Sequence, residues 1–362
     1  MRVLIIMLYS NGDILLSTPI AKDIKDRFPN SHITWLVAKG FESILYENLY
    51  IDQIESLEGI VKGNYKLIQS KKNKFIRENI FDRVFDIQTI GKNQGNYDGC
   101  TRSAIFNSYP YKIFDITPIL NLNVLEKENV HEFLKKHNIN NYKNKILFEF
   151  APQSGQSNLT EEFCINISKI IIENIENTCV IMSSPFKIPS NINGVFDASD
   201  LSLRENAELI NNCNLFLGTS SGISWIAQSS YCKPINMIQL VKNDYLFTNI
   251  ISIDRTIFNL PKNDLIEIHI NSNENFILEV VNSSILNFKN ARQKYCVSFK
   301  PNFVTTSKIV YDAICYFQYK SLFRHVYLNI LKHGFNIDFV VQFFKGIIFT
   351  PYYFIHNKLR KY

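Results

Sequence analysis

The chain has 362 residues, 46% hydrophobic and 20% charged, with 39 basic residues against 33 acidic ones. That length favours two domains of roughly 150 residues each, and the composition excludes a disordered or low-complexity protein. The net charge of +6 is local: residues 316–362 hold seven basic residues and one acid, Asp338, so the first 315 residues are formally neutral and a nucleic-acid-binding body is disfavoured.

Residues 3–8 are a continuous apolar run, as in a parallel strand buried on both faces. Tyr9-Ser10-Asn11-Gly12-Asp13 follows with no small-residue cleavage site. The amino terminus therefore reads as a first strand of a cytoplasmic protein rather than a signal peptide. Asn11-Gly12-Asp13 reads as a break, and a helix is expected from Ser17 or Thr18, with Pro19 at its first position and Ile20, Ile24 and Phe28 on one face. Strands are expected at 32–37 and 84–87, on either side of an irregular stretch. Such βαβ alternation implies a parallel sheet wrapped by helices.

The pattern restarts near residue 145. A strand at 146–150 leads into a polar turn, and Thr160 is placed to cap a helix carrying Glu161 and Glu162 in its first turn. Further strands are expected at 179–182, 215–217 and 236–240. Ser202 and Glu205 have capping-box spacing, 218–222 reads as a turn, and 224–230 as a helix. Two α/β halves, 1–143 and 144–300, would face each other across a cleft at the carboxyl ends of their sheets, where such folds bind ligands.

Asp13, with Asn11 and Gly12 beside it, lies where a carboxylate can take a proton from an acceptor hydroxyl; the same residue can equally cap the turn that follows. Thr219-Ser220-Ser221-Gly222-Ile223 and Ser154-Gly155-Gln156, with Ser183-Ser184 on a strand between them, are small or hydroxyl-bearing turns that let backbone amides approach a phosphate. Together they point to a pyrophosphate site. There is no GxGxxG and no Walker lysine. Seven scattered cysteines and seven dispersed histidines lack metal-ligand spacing, so no metal is expected.

Residues 1–19, 28–37 and 202–240 together resemble glycosyltransferase family 9, the heptosyltransferases. The residues that carry the likeness are Ser10-Asn11-Gly12-Asp13, Leu203-Arg204-Glu205-Asn206-Ala207-Glu208 and Leu217-Gly218-Thr219-Ser220-Ser221-Gly222. The resemblance covers most of residues 1–240 and fades beyond about 250. It implies two Rossmann-like domains facing a cleft (GT-B) and an inverting, metal-independent transfer of a heptose or hexose. The donor would be a nucleotide-diphosphate sugar, with no further cofactor. The acceptor would be a cell-surface glycan, a lipid-linked core or a protein. Asp13 matches the family's general base, and 219–223 its loop at the donor diphosphate. Four departures stand out: Ser220 replaces the family's Asp, Trp225 its His, no Lys follows Ser154, and no acid stands at 183–186. The Ser-Ser-Gly-Ile-Ser-Trp version resembles relatives that glycosylate autotransporter proteins. The departures also leave open a non-catalytic GT-B paralogue acting as a glycan-binding or partner subunit.

The tail, 301–362, is expected to be helical. From 316 onward it combines basic and aromatic residues, and its longest apolar stretch is interrupted by Gln342, Lys345 and Pro351, poor for a membrane span. Such a segment suits a helix lying on the inner membrane surface against anionic headgroups. It also suits a closing segment that packs back on the first domain, and the two are compatible.

Overall fold

The computed structural model describes residues 1–359 apart from 62, 152–154, 190, 245 and 247–249, with 352–359 described as backbone only. The first half holds strands β1 (Arg2–Ile6), β2 (His32–Ala38), β3 (Gln53–Leu57) and β4 (Arg83–Asp86), all parallel, in the order β3-β2-β1-β4. β1 is central because Val3, Leu4, Ile5 and Ile6 are buried on both faces, Val3 and Ile5 in one apolar cluster and Leu4 and Ile6 in another. β3 is an edge strand with no fully buried residue. Its polar residues hide it in sequence, which is why 38–83 reads as irregular although it also contains helix α3 (Tyr65–Glu78).

Two helices follow β1, where a break and a single helix were expected. α1 (Asn11–Ser17) begins inside the anticipated break, and α2 (Pro19–Arg27) follows at Thr18. The cause is tertiary: Ile14, Leu15 and Leu16 are fully buried, so a helix there gains more than its polar start suggests. Pro19 has no N–H to continue the ladder, and the Thr18 hydroxyl donates to the Leu15 carbonyl at 2.7 Å. Helices α4 (Thr101–Phe106) and α5 (Val124–Lys136) complete this half.

The second half is a six-stranded parallel sheet in the order β10-β9-β8-β5-β6-β7. Its strands are β5 (Asn144–Glu149), β6 (Thr178–Ser183), β7 (Val195–Asp197), β8 (Leu215–Thr219), β9 (Asn236–Val241) and β10 (Leu265–His269), and its helices are α6 (Glu161–Asn174), α7 (Glu205–Asn211), α8 (Gly222–Ile226), α9 (Ile251–Ile257) and α10 (Glu274–Tyr295). Thr160 caps α6 by accepting the Phe163 amide. The helix expected at 224–230 starts two residues earlier and ends at Ile226, because Ser221 caps it by accepting the amides of Ile223 and Ser224. The tail is α11 (Val304–Cys315), α12 (Tyr319–His333) and α13 (Ile337–Leu359). Among the described residues no helix is long and apolar enough to cross a membrane. α12 lies on the 91–98 segment of the first half, where Gln94 donates to Asp312 and Gly95 to Ser321. One apolar cluster runs from Val3 and Ile5 through Leu15 and Trp225 to Leu147 and Phe216, so the two sheets share a core on this side.

Candidate functional site

The two carboxyl edges meet at the amino ends of α1 and α8. The chain leaves β1 through Ser10, whose φ of +72° is a left-handed conformation seldom taken by a residue with a Cβ. This sharp turn sets Asn11, Gly12 and Asp13, all half-buried, into the first turn of α1. Asp13 is thus a helical residue rather than the tip of a strand. It lies near Tyr9, whose hydroxyl pKa is raised first by burial and then by the Asp13 charge. Across from them, a Cβ on Gly12 would lie 3.8 Å from the Gly222 Cα and 3.6 Å from the Trp225 ring. The predicted acceptor-side loop and the predicted 219–223 loop therefore stand face to face.

The 219–223 turn is built from its own hydroxyls. Ser221 Oγ accepts the amides of Ile223 (3.2 Å) and Ser224 (3.4 Å), and Ser224 Oγ donates to the Thr219 carbonyl at 2.6 Å. Thr219, Ser220, Ser221 and Ile223 are buried. Thr219 is the last residue of β8, and Gly218 before it must be glycine, since a Cβ there would sit 2.5 Å from the Phe216 ring. Beneath the turn is Glu149, which sequence reasoning missed. The Thr219 hydroxyl donates to its carboxylate at 3.3 Å. Burial raises the Glu149 pKa to about 7 against the hydrogen bonds from Ser221 and Thr219 that favour its charged form.

Glu149 belongs to a polar row across the sheet. Strand register places Ser183 beside Glu149, Glu149 beside Gly218, Gly218 beside Gln239, and Gln239 beside Glu267. Residues paired in register share one face, here the face that carries α8 and α9. Two of its members reach the helices above: Gln239 Oε1 lies 3.3 Å from Ser224 Oγ in α8, and Glu267 accepts the Ser252 amide in α9 at 3.0 Å. Burial raises the Glu267 pKa too. A signal was present in the sequence, since β5, β9 and β10 each interrupt an apolar run with one polar residue near the carboxyl end.

The remaining predicted residues divide. Ser154 lies outside the described residues. Gly155 is exposed with φ +74°, and Gln156 is half-buried. Ser183 ends β6 in the polar row. Ser184 is turned to a local task, its hydroxyl accepting the Phe186 amide at 3.1 Å. Lys242, the first residue after β9, brings a cation to the same sheet edge, and sequence reasoning passed over it. Among the described residues no three His, Cys, Asp or Glu side chains converge.

Buried charges fasten the halves together. The Arg204 guanidinium donates to both carboxylate oxygens of Glu126 (2.6 and 2.8 Å) and to the carbonyls of Ser43, Tyr46 and Asn121. Burial alone would push the Glu126 carboxyl up, but the Arg204 fork and the Asn123 amide hold it below its ordinary value. Arg102 pairs with Asp254 at 3.1 Å, both side chains 2% exposed, and its guanidinium lies 5.2 Å from the Trp225 ring centre. Glu205 and Ser202 form the reciprocal capping box that their spacing predicts, and Glu205 also accepts from Asn129 at 2.7 Å.

No family model and no curated protein matches the chain. Solved structures do. A glycosyl transferase family 9 protein from Veillonella parvula is 13% identical with a TM-score of 0.58, over 79% of this chain and 97% of that one. E. coli ADP-heptose LPS heptosyltransferase II is 14% identical with a TM-score of 0.55, over 80% and 100%. An E. coli heptosyltransferase with ADP-2-deoxy-2-fluoro heptose is 12% identical with a TM-score of 0.51, over 78% and 100%. At these identities the likeness is one of architecture: the chain has the two-sheet GT-B fold of the family 9 glycosyltransferase structures.

Proposed function

We propose that the protein is a glycosyltransferase that moves a heptose or hexose from a nucleotide-diphosphate donor to a cell-surface glycan, lipid-linked core or protein acceptor, with inversion and without metal. The observation that carries this reading is the apposition of Gly12 and Gly222, which sets Asp13 on one sheet's edge against the 219–223 turn on the other. Asp13 takes the proton of the acceptor hydroxyl as that oxygen attacks the anomeric carbon and the nucleoside diphosphate leaves from the opposite face. Residues 155–156, 183–184 and 219–223 face the diphosphate, and Lys242 offsets part of its charge.

The variant Asp13→Asn is the test. Turnover of nucleotide sugar with acceptor should fall by about two to four orders of magnitude, while donor affinity measured by thermal shift stays unchanged. Undiminished turnover would remove Asp13 from the mechanism. One observation favours a second reading, a binding paralogue without catalysis: the hydroxyls of Thr219 and Ser221 are already committed to Glu149 and to helix α8. That reading expects no turnover with any donor, even where a nucleotide sugar binds.

A further inference from the structure

Helix α12 is amphipathic in the reverse of the usual sense. Ser321, His325 and Asn329, at i, i+4 and i+8, face inward and are 6% exposed or less. Phe323, Tyr327 and Leu331, on the same spacing, face outward and are 76%, 64% and 69% exposed, and Phe335 just beyond is 85% exposed. A helix on a water-bathed surface hides its apolar stripe; this one displays it.

The orientation is enforced. Ser321 Oγ accepts the Gly95 amide at 2.9 Å, His325 Nδ1 donates to the Tyr97 carbonyl at 2.8 Å, and Asn329 donates to the same carbonyl at 3.1 Å. Lys332 pairs with buried Asp98 at 2.5 Å, and Gly95 is packed so closely that a Cβ there would meet the Ser321 carbonyl at 2.0 Å. The helix cannot roll its aromatic stripe inward without orphaning these groups. α13 adds to the exposed apolar surface, although its own inward face carries Phe339, 5% exposed. Gly346 is locked on α11, where a Cβ would meet Val310 at 2.6 Å, and this turns Phe344 and Ile348 outward. Of the 25 exposed large hydrophobic residues among the described residues, 14 lie within 316–349, so the patch is local rather than scattered.

We propose that this face is a docking surface for an anionic lipid bilayer, on which α12 lies in the plane of the headgroups. The charge selects the partner. Residues 316–362 carry seven basic residues and one acid on an otherwise neutral chain. Lys320 and Arg324 are exposed beside the stripe, Arg324 donating to the Asn107 carbonyl at 3.0 Å with one of its nitrogens; such side chains lay apolar stems along a bilayer while their charges meet headgroups. A twofold dimer through the same face would set these cations against their own copies. The inference stands apart from the transferase reading, since it uses no residue of that site.

The test is co-sedimentation of the full chain with vesicles of phosphatidylcholine alone and of phosphatidylcholine with phosphatidylglycerol. The protein should pellet with the anionic vesicles, less so at high salt. The triple variant Phe323→Ser, Tyr327→Ser, Leu331→Ser, all at exposed positions, should keep its circular dichroism and lose on the order of tenfold or more in partitioning. As a second probe, Phe323→Trp should shift its emission to shorter wavelength on adding anionic vesicles, against the constant signal of buried Trp35 and Trp225. The idea is overturned if the parent stays in the supernatant, if the triple variant binds as well as the parent, or if light scattering shows a lipid-free dimer that the triple variant abolishes.

Discussion

Gly12 and Gly222 face each other where the two sheets join, with 3.8 Å between a Cβ built on Gly222 and the Gly12 amide nitrogen. The approach leaves room for a methyl group and no more. Gly12→Ala should therefore fold with stability within about 0.5 kcal/mol of the parent, its better helix propensity offsetting the tighter fit. Gly12→Leu should push into the Trp225 indole and cost about 1–3 kcal/mol. Thermal denaturation separates the two. An unshifted midpoint for the leucine variant would mean the halves are not held at this distance.

Arg102 and Asp254 form a buried ion pair between the halves, beside Trp225. Removing one partner strands the other charge away from water. Arg102→Leu should cost about 3–5 kcal/mol in urea unfolding, and adding Asp254→Asn should recover a large part of it. If the double variant is as unstable as the single one, packing on Trp225 matters more than the charge pair.

Glu149 should make stability and donor binding depend on pH. Its pKa is raised from the ordinary 4.5 to about 7, so between those values the folded chain keeps a proton that the unfolded chain has lost. Its contribution is complete below pH 4.5 and disappears as pH rises through 7. Glu149→Gln removes that slope. The stability gap between variant and parent should open from pH 5 to pH 8, approaching at most ~3 kcal/mol. The parent's affinity for a nucleotide diphosphate should fall over the same interval, because an ionised Glu149 repels the diphosphate, while that of the variant holds. Parallel profiles for the two proteins would contradict a buried, proton-holding Glu149.

His325 should act in the opposite direction on the tail. Burial lowers its pKa from 6.5 to about 4, against the hydrogen bond to the Tyr97 carbonyl that favours the charged ring. The unfolded state takes up a proton below pH 6.5 and the folded state only near 4. Stability present above 6.5 is thus lost as pH falls through that window, on the order of 3 kcal/mol in total. Hydrogen exchange in α12 should quicken at pH 4.5 relative to pH 7 after correction for intrinsic rates. His325→Gln, which takes up no proton, should show no such acceleration.

Much of the architecture was legible because burial on both faces leaves a plain mark. The apolar runs of β1, β5 and β6 and the Thr160 and Ser202–Glu205 caps announce themselves locally. β3 does not, since none of its residues is fully buried and three of the five are polar. α1 was read as a break because its helical state depends on where Ile14, Leu15 and Leu16 are buried, and a single segment does not carry that information. Asp13 and the 219–223 hydroxyls were visible as residue types, but their apposition was not.

By itself the sequence determined the two α/β halves, the small and hydroxyl-bearing residues that follow β1 and β8, and a basic, aromatic tail, because hydrophobic period, caps and charge are properties of neighbours along the chain. Only the tertiary structure decided that Glu149, Gln239 and Glu267 form one row, since register joins residues far apart in sequence. Only it decided that α12 turns its polar face inward, because Ser321, His325 and Asn329 each bond a backbone group of residues 95–97, more than two hundred positions away.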